Sequence, residues 1–556
     1  MRSRRTSASW ARRSAATASC SPARCIPRSC TARSTRSSQS CGDRASCARS
    51  SATAACAPIC RTSDGATVTD AVVVGDARLT LEHVVAVAAL GAEVALSDSA
   101  RTRISAARAV VEAHLAAETP VYGLNRELGA GRNVVVDDVV SFQLRVLRNH
   151  DAGIGELLTG EQVRASVFTR VAGFSWGGAG VRPEWATAWI ALLNAGIVPA
   201  VRRVGSVGAA DLTTLAAIAR VVAGEGSVLA DGDLVPAADA LADAGVLPVL
   251  PAASEALASL SSNAYSVGVG ALAAARAERL PALADLVTAL TIEAVAGQSD
   301  GGSLRPFDPA VNGLRPAQAA SAARIRTWLT AGRAASRVSA SVQDAVSIRS
   351  APQINAALAD RVAALRAEIE LLLNASTENP LVAGDAMAPN GNFQITALAV
   401  EFDALRVAIA HVAVASERRS VVLSALQRPH RRSGASRVPG LLLYTASSLV
   451  AELRHLADPV SLTGGSLSEG VEDVSSSAAL ALQLLERSIS LAESALAIEG
   501  VLAAELIALS DPQPADALDS ILGQLDRLRT GAPEADALVR DSLAALLAAS
   551  QVALEA

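Results

Sequence analysis

Between Gln353 and Asn374 the apolar residues Ile354, Leu358, Val362, Leu365, Ile369 and Leu372 recur at gaps of 4, 4, 3, 4 and 3. That spacing places all six on one face of an amphipathic helix of about six turns. Similar stretches run over 316–333, 396–426, 441–457 and 475–509. Long helices joined by Gly/Pro-rich links predict a mainly α fold, a long-helix bundle. Segments 299–313, 379–390 and 427–439 are too polar or Pro-rich to continue a helix and read as breaks. Ahead of the bundle, Val72 to Asp76 reads as a short strand, and Thr80 caps a helix that contains His83. The expected organisation is an extension over 1–66, a smaller mixed N-terminal region over 67–177, and a central and C-terminal helical bundle over 178–556. No internal repeat is present.

Charge separates the extension from the rest. Residues 1–66 hold 12 Arg against Asp43 and Asp64, whereas the remaining body carries 37 Arg against 52 acids, near −15. A net-acidic body does not attract phosphate backbones, which argues against general nucleic-acid binding. No apolar run reaches the roughly 18 residues that a membrane span needs. All seven cysteines (Cys20, Cys25, Cys30, Cys41, Cys47, Cys56 and Cys60) precede Arg61 and form no paired C-x-x-C knuckles. Neither a zinc module nor a closed disulfide framework is expected. The segment is Arg/Ser/Ala-rich like a transit peptide but lacks a steady amphipathic stripe. The preferred reading is a disordered extension arising from translation at too early a start. The expected compartment is the cytoplasm.

Generic motifs are nearly absent. There is no phosphate-loop signature, and Gly153-Ile-Gly155 lacks the third glycine and preceding strand of a dinucleotide site. The six histidines form no H-E-x-x-H, and no serine sits in a G-x-S-x-G elbow, so no metal site is expected.

The specific signal is a series of short polar islands. They are ThrProValTyrGlyLeuAsn (119–125), ArgAsnHisAspAlaGlyIleGlyGlu (148–156), GlyValArgProGlu (180–184) with LeuLeuAsnAlaGlyIleValPro (192–199), and GlySerValGlyAlaAlaAspLeu (205–212). Further on come ValGlnAspAlaValSerIleArgSerAlaProGln (342–353), AsnAlaSerThrGluAsnProLeu (374–381), AsnGlyAsnPhe (390–393), SerGluArgArg (416–419) and GlyValGluAsp (470–473). In this order they resemble the histidine and aromatic amino acid ammonia-lyase family, from about residue 68 to the C-terminus.

The resemblance implies removal of ammonia from an aromatic L-amino acid to give an acrylate. The β-proton involved is barely acidic. The family therefore uses an electrophile, methylidene-imidazolone (MIO), made from an internal Ala-Ser-Gly whose serine loses water, an instance of covalent catalysis. It also implies a homotetramer that builds each active site from three chains, with Tyr122, Arg349 and Glu472 meeting only across chains.

Residue by residue, Tyr122 matches the tyrosine that takes the β-proton, and a phenol buried near an electropositive centre has a lowered pKa suited to that role. The other reading of Tyr122 is a core tyrosine bonded to a neighbour. Arg349 matches the residue that binds the substrate carboxylate through its planar fork, with Gln343 beside it as in the family; a surface arginine is the alternative. Glu472 matches a glutamate that handles the amino group or imidazole, or is a solvated loop acid. Asn149 and His150 fall where the substrate ring is read, and a polar pair favours an imidazole or hydroxylated ring; a helix-terminal pair is the other reading. Asn125 follows Tyr122-Gly123 within the same island. Asn379 resembles a turn asparagine near the site, and before a proline a plain turn serves equally well.

The departures cluster at the chemistry. In place of the family's Gly-Ser-Val-Gly-Ala-Ser-Gly-Asp-Leu the chain is one residue shorter, with Ala209, Ala210 and Asp211 at the cofactor position and Ser206 in the wrong register to substitute. Alanine has no hydroxyl to eliminate, so the MIO group is not expected to form and no other cofactor is expected. Val346 replaces a tyrosine, Ser261 or Asn263 stands for an Asn-Gly-Thr, GlnIle (394–395) replaces His-Gly, and no histidine follows Glu472-Asp473. Two functions follow: a carbon-nitrogen lyase or aminomutase acting on an aromatic, histidine-like L-amino acid, or a homologue that binds such an amino acid without turnover. A purely structural scaffold explains the helices but not the retained Tyr122 and Arg349.

Overall fold

In the computed structural model, Thr396–Arg432 forms one continuous helix of 37 residues. It packs along the 31-residue helix Ala478–Ala508. Helices Leu280–Gln298, Ala351–Leu373, Leu442–Leu456 and Ala535–Glu555 surround this pair. The structure describes residues 71–336, 338–510, 514–531 and 534–555. The expectations for residues 1–66, including the seven cysteines, lie outside the described residues. Those described belong to one unit, Pro58–Ala556.

The helical spacing of the sequence is what the bundle buries. In Ala351–Leu373, Leu358, Val362, Leu365 and Ile369 are buried, and Ile354 and Leu372 pack at the edge of the same core. One expected break fails. Pro429 predicts a non-helical segment from Gln427, yet the helix runs through that proline to Arg432. Buried Gln427 accounts for this. Its Nε2 donates to the Leu502 carbonyl at 2.7 Å, and its Oε1 accepts from Arg431 at 2.7 Å. These bonds fasten the last turn although proline contributes no N–H. The stretch from 316 to 333 also divides, into Pro316–Trp328 and Arg333–Ser336.

Strands are few and short. Val72–Val74 pairs in parallel with Val94–Leu96 through a crossover containing the helix Leu81–Ala88. At the start of that helix Thr80 receives the reciprocal His83 contact at its backbone N–H (3.1 Å), which satisfies a donor the helix leaves free. Three antiparallel ribbons follow: Ile154–Leu157 with Arg202–Val204, Ser227–Ala230 with Asp233–Pro236, and Leu381–Ala383 with Ala386–Ala388.

The helical stretch Glu255–Gln298 is long and apolar enough by composition to cross a membrane, although polar and charged residues interrupt its apolar runs. Its most apolar window is 94% buried, so that surface is taken up in packing against neighbouring helices. Charges inside the bundle form pairs. Arg419 meets Glu499 through two nitrogens at 2.6 and 2.9 Å, and Arg170 meets Glu378 at 2.8 Å, all four side chains being buried. Asp285 takes Arg324 and Asn355 at 2.8 and 2.7 Å.

Candidate active site

Loops and helix ends from distant parts of the sequence meet at one cavity of about 600 Å³, lined among others by Tyr122, His150, Ala210, Asn379, Phe393 and Glu472. Their convergence begins with the turn after Tyr122. Gly129–Gly131 forms a single 3-10 turn that lies against a second one, Ser468–Gly470, and this places Glu472 beside the Tyr122 loop of its own chain. Tyr122 and Glu472 therefore meet within one chain, contrary to the expectation that they meet only across chains. The reason is this turn-to-turn contact, which sequence spacing does not reveal.

Tyr122 is half-buried, and its phenol oxygen accepts the Gly129 N–H at 2.9 Å. Burial, reinforced by the charge of Glu472, raises the phenol above its ordinary value, while the Gly129 N–H and Arg132 pull the other way. This reverses the expected direction, because the groups around the ring in this chain supply more desolvation than positive charge. Gly123 follows with φ +72°, and a Cβ there would lie 2.2 Å from Leu257 Cδ2. The loop therefore closes onto Leu257 only with glycine. Asn125 does not line the cavity. Its Oδ1 accepts the Val121 N–H at 2.9 Å and its Nδ2 donates to the Thr119 carbonyl at 2.8 Å, so it holds the loop that carries Tyr122.

His150 ends the helix Val139–His150 and turns toward the cavity, whereas Asn149 is exposed and not in its wall. The pair separates because adjacent helical residues point about 100° apart. His150 Nδ1 lies 2.8 Å from the Val146 carbonyl. A carbonyl only accepts, so Nδ1 carries the proton and a neutral ring offers Nε2 as acceptor.

Ala209 and Ala210 are buried at the cavity wall, and the Ala210 N–H points to the Phe393 carbonyl at 3.4 Å. Ala210 has φ +58°, a left-handed conformation uncommon for a residue with a Cβ. Gly208 before it has φ +85°, and a Cβ there would come within 2.8 Å of the Ser477 and Ala478 backbone nitrogens. Asp211 is buried behind this turn. Its carboxylate accepts the Ser266 N–H at 2.8 Å and the Ser206 hydroxyl at 2.8 Å. Burial pushes its pKa up to about 6. Its own N–H donates to the Ser262 carbonyl at 2.7 Å. Residues 209–211 do not fit the MIO group: Ala210 has no hydroxyl to lose, and the neighbouring Ser206 hydroxyl is bound to Asp211.

Asn379 lines the cavity and also works as a turn: its N–H donates to Ser261 Oγ and its Oδ1 accepts the Asn390 N–H, both at 3.0 Å. Of the two candidates for the family's Asn-Gly-Thr, Ser261 reaches the cavity wall, while the Asn263 amide is buried with neither polar atom partnered among the described residues. Arg349 and Gln343 are absent from the wall. Arg349 closes the four-residue helix Val346–Arg349 with its Nε buried and unpartnered among the described residues, and Gln343 is exposed. Sequence reasoning missed Leu257 and Arg132, both in the cavity wall. Leu257 sits in a six-residue helix without a motif, and Arg132 in a loop without periodicity. Among the described residues no three His, Cys, Asp or Glu side chains form a metal-sized group.

Residues 79–527 match the family described as aromatic amino acid lyase. The chain is 36% identical to the histidine ammonia-lyase of Deinococcus radiodurans over 446 residues, covering 77% of this chain and 84% of that protein. It is 34% identical to the histidine ammonia-lyase of Anaeromyxobacter dehalogenans over 507 residues, 86% of this chain and 98% of that one. Among solved structures, tyrosine aminomutase from Streptomyces globisporus superposes with a TM-score of 0.78 at 27% identity, covering 87% of this chain and 98% of that one. Histidine ammonia-lyase from Trypanosoma cruzi superposes at 0.76 with 26% identity, covering 87% and 95%. By the extent of these matches, this chain belongs to the aromatic amino acid lyase family.

Proposed function

We propose that the cavity binds a histidine-like aromatic L-amino acid and that the reaction it is shaped for is loss of ammonia to give the acrylate. The observation that carries this is the convergence of Tyr122, His150, Asn379 and Glu472, from distant parts of the sequence, on one cavity of a size suited to a small ligand. His150 Nε2 reads the ring by accepting a hydrogen bond, which an imidazole N–H or a ring hydroxyl supplies and a plain phenyl does not. Glu472 faces the ammonium. Tyr122 rests as a neutral phenol whose oxygen already accepts from Gly129, so its own proton is free for the ligand.

Ala210 favours a second reading, binding without turnover by the family's route. The residues at the MIO position, Ala209, Ala210 and Asp211, lack the hydroxyl that the family's route eliminates. Losing an electrophile removes part of the roughly 8 kcal/mol or more that enzymes supply, and about 1.36 kcal/mol is tenfold in rate. The same reading includes a homotetramer: Val338, Val342 and Val346 are exposed along the segment that ends at Arg349, whose Nε has no partner among the described residues. Incubation with L-histidine, L-tyrosine and L-phenylalanine, followed by ammonia and acrylate assays and binding calorimetry, separates the readings. Acrylate formation supports the lyase; saturable binding without acrylate or MIO absorbance supports the binding homologue.

A further inference from the structure

The loop 261–263 faces two cavities. Ser261 lines the large one, whereas Ser262 and Asn263 line a second, of about 10 Å³, together with Thr169 and Thr377. That is room for one water molecule. Asn263 is 2% exposed and Thr169 7%, so their own chain encloses them whatever a second chain adds. Three polar atoms, Asn263 Oδ1 and Nδ2 and Thr169 Oγ1, are buried without a partner among the described residues. Asn263 stands at the N-cap of the helix Ala264–Ala277, where asparagine ordinarily caps the first turn with its side chain, yet it makes no such bond. Asp211 does that instead, its carboxylate accepting the Ser266 N–H at 2.8 Å. The Asn263 amide is thereby left to the small cavity. Thr169 sits at a tight helix crossing: a Cβ on Gly268 would come 2.7 Å from Thr169 Oγ1 and 2.5 Å from the Ala165 carbonyl oxygen. Glycine at this crossing offers the hydroxyl no side-chain partner.

We propose that the small cavity is a specific water site, in which one water, as donor and acceptor, joins the Asn263 amide to the Thr169 hydroxyl. A buried water needs two to four polar partners, and the amide and hydroxyl supply that number. No residue lining this cavity is charged, which suits water rather than an ion. The consequence reaches the large cavity. Ser261 Oγ accepts the Asn379 N–H at 3.0 Å, and the Ser262 carbonyl accepts the Asp211 N–H at 2.7 Å. The bridge therefore fastens a loop that holds both Asn379 and the turn after Ala210.

Urea denaturation of the full chain, Thr169→Val, Asn263→Leu and the double variant tests it. Each replacement keeps roughly the shape and removes the polar group. If a water bridges the two, each single change strands the other group, so both midpoints fall to lower urea, and the double variant loses clearly less than the sum. A midpoint that rises in Thr169→Val would overturn the site, because removing a hydroxyl with no partner relieves a cost. Strictly additive losses would overturn it equally. A crystal structure of the unmodified chain decides if a variant does not fold. A solvent peak about 2.7–3.2 Å from both the Asn263 amide and Thr169 Oγ1 is expected. A cavity without one, or an Asn263 amide turned back to cap its own helix, would overturn the proposal.

Discussion

The Gly129 N–H donates to the Tyr122 phenol oxygen at 2.9 Å from a turn that packs against Ser468–Gly470, so one contact fixes the ring and sets it beside Glu472. The raised phenol pKa follows from that enclosure. In an alkaline absorbance titration, the phenolate signal lost on Tyr122→Phe is expected to appear above the ordinary value of 10.0. A signal appearing well below it would show that positive charge, not burial, governs this ring.

Asp211 makes stability depend on pH in the acidic range. Its folded-state pKa of about 6 lies above the ordinary 3.8 expected of the unfolded chain, so the folded chain holds this proton more tightly. The associated stability is complete below the unfolded value and is lost as the pH rises through about 6. That difference corresponds to roughly 3 kcal/mol at most. Asp211→Asn, with the Ser206 and Ser266 hydroxyls reversing to donate or accept as needed, is expected to abolish that loss between about pH 4 and about pH 7. Parallel stability-against-pH curves for the two proteins would contradict the assignment.

The Arg419–Glu499 pair joins the two longest helices, and Thr291 also donates to Glu499 at 2.6 Å. Removing one partner strands a buried charge. Arg419→Ala is expected to cost about 3–5 kcal/mol, and the double change Arg419→Met with Glu499→Leu much less. Equal losses in urea denaturation would mean that packing volume rather than charge is at stake.

Assembly is tested at the Val338–Arg349 segment. Val342 is 98% exposed and Val346 59% in the single chain. Light scattering at micromolar concentration is expected to give a tetramer, and Val342→Asp with Val346→Asp to shift it toward smaller species. A monomeric unmodified chain would rule the arrangement out.

The bundle was legible because burial imposes helical spacing, as at Leu358, Val362, Leu365 and Ile369. The continuation through Pro429 was not, since it depends on Gln427 reaching Leu502 far along the chain. Of the residues that the order of the islands singles out, Tyr122, His150, Ala210, Asn379 and Glu472 line the one cavity. Asn125 and Asn149 shared those islands yet point elsewhere, one into its loop and one to solvent. Arg132 and Leu257 carry no local pattern; only the folding of their loops brings them to the cavity.

The most direct measurement is calorimetric titration of L-histidine, L-tyrosine and L-phenylalanine into the unmodified chain and into His150→Ala and the double variant His150→Ala with Glu472→Ala. Saturable binding of at least one, with histidine or tyrosine preferred over phenylalanine, is expected, weakened about tenfold by His150→Ala and further by the double change. No saturable binding of any of the three, or binding that survives the double change undiminished, would contradict the placement of an amino-acid site in this cavity.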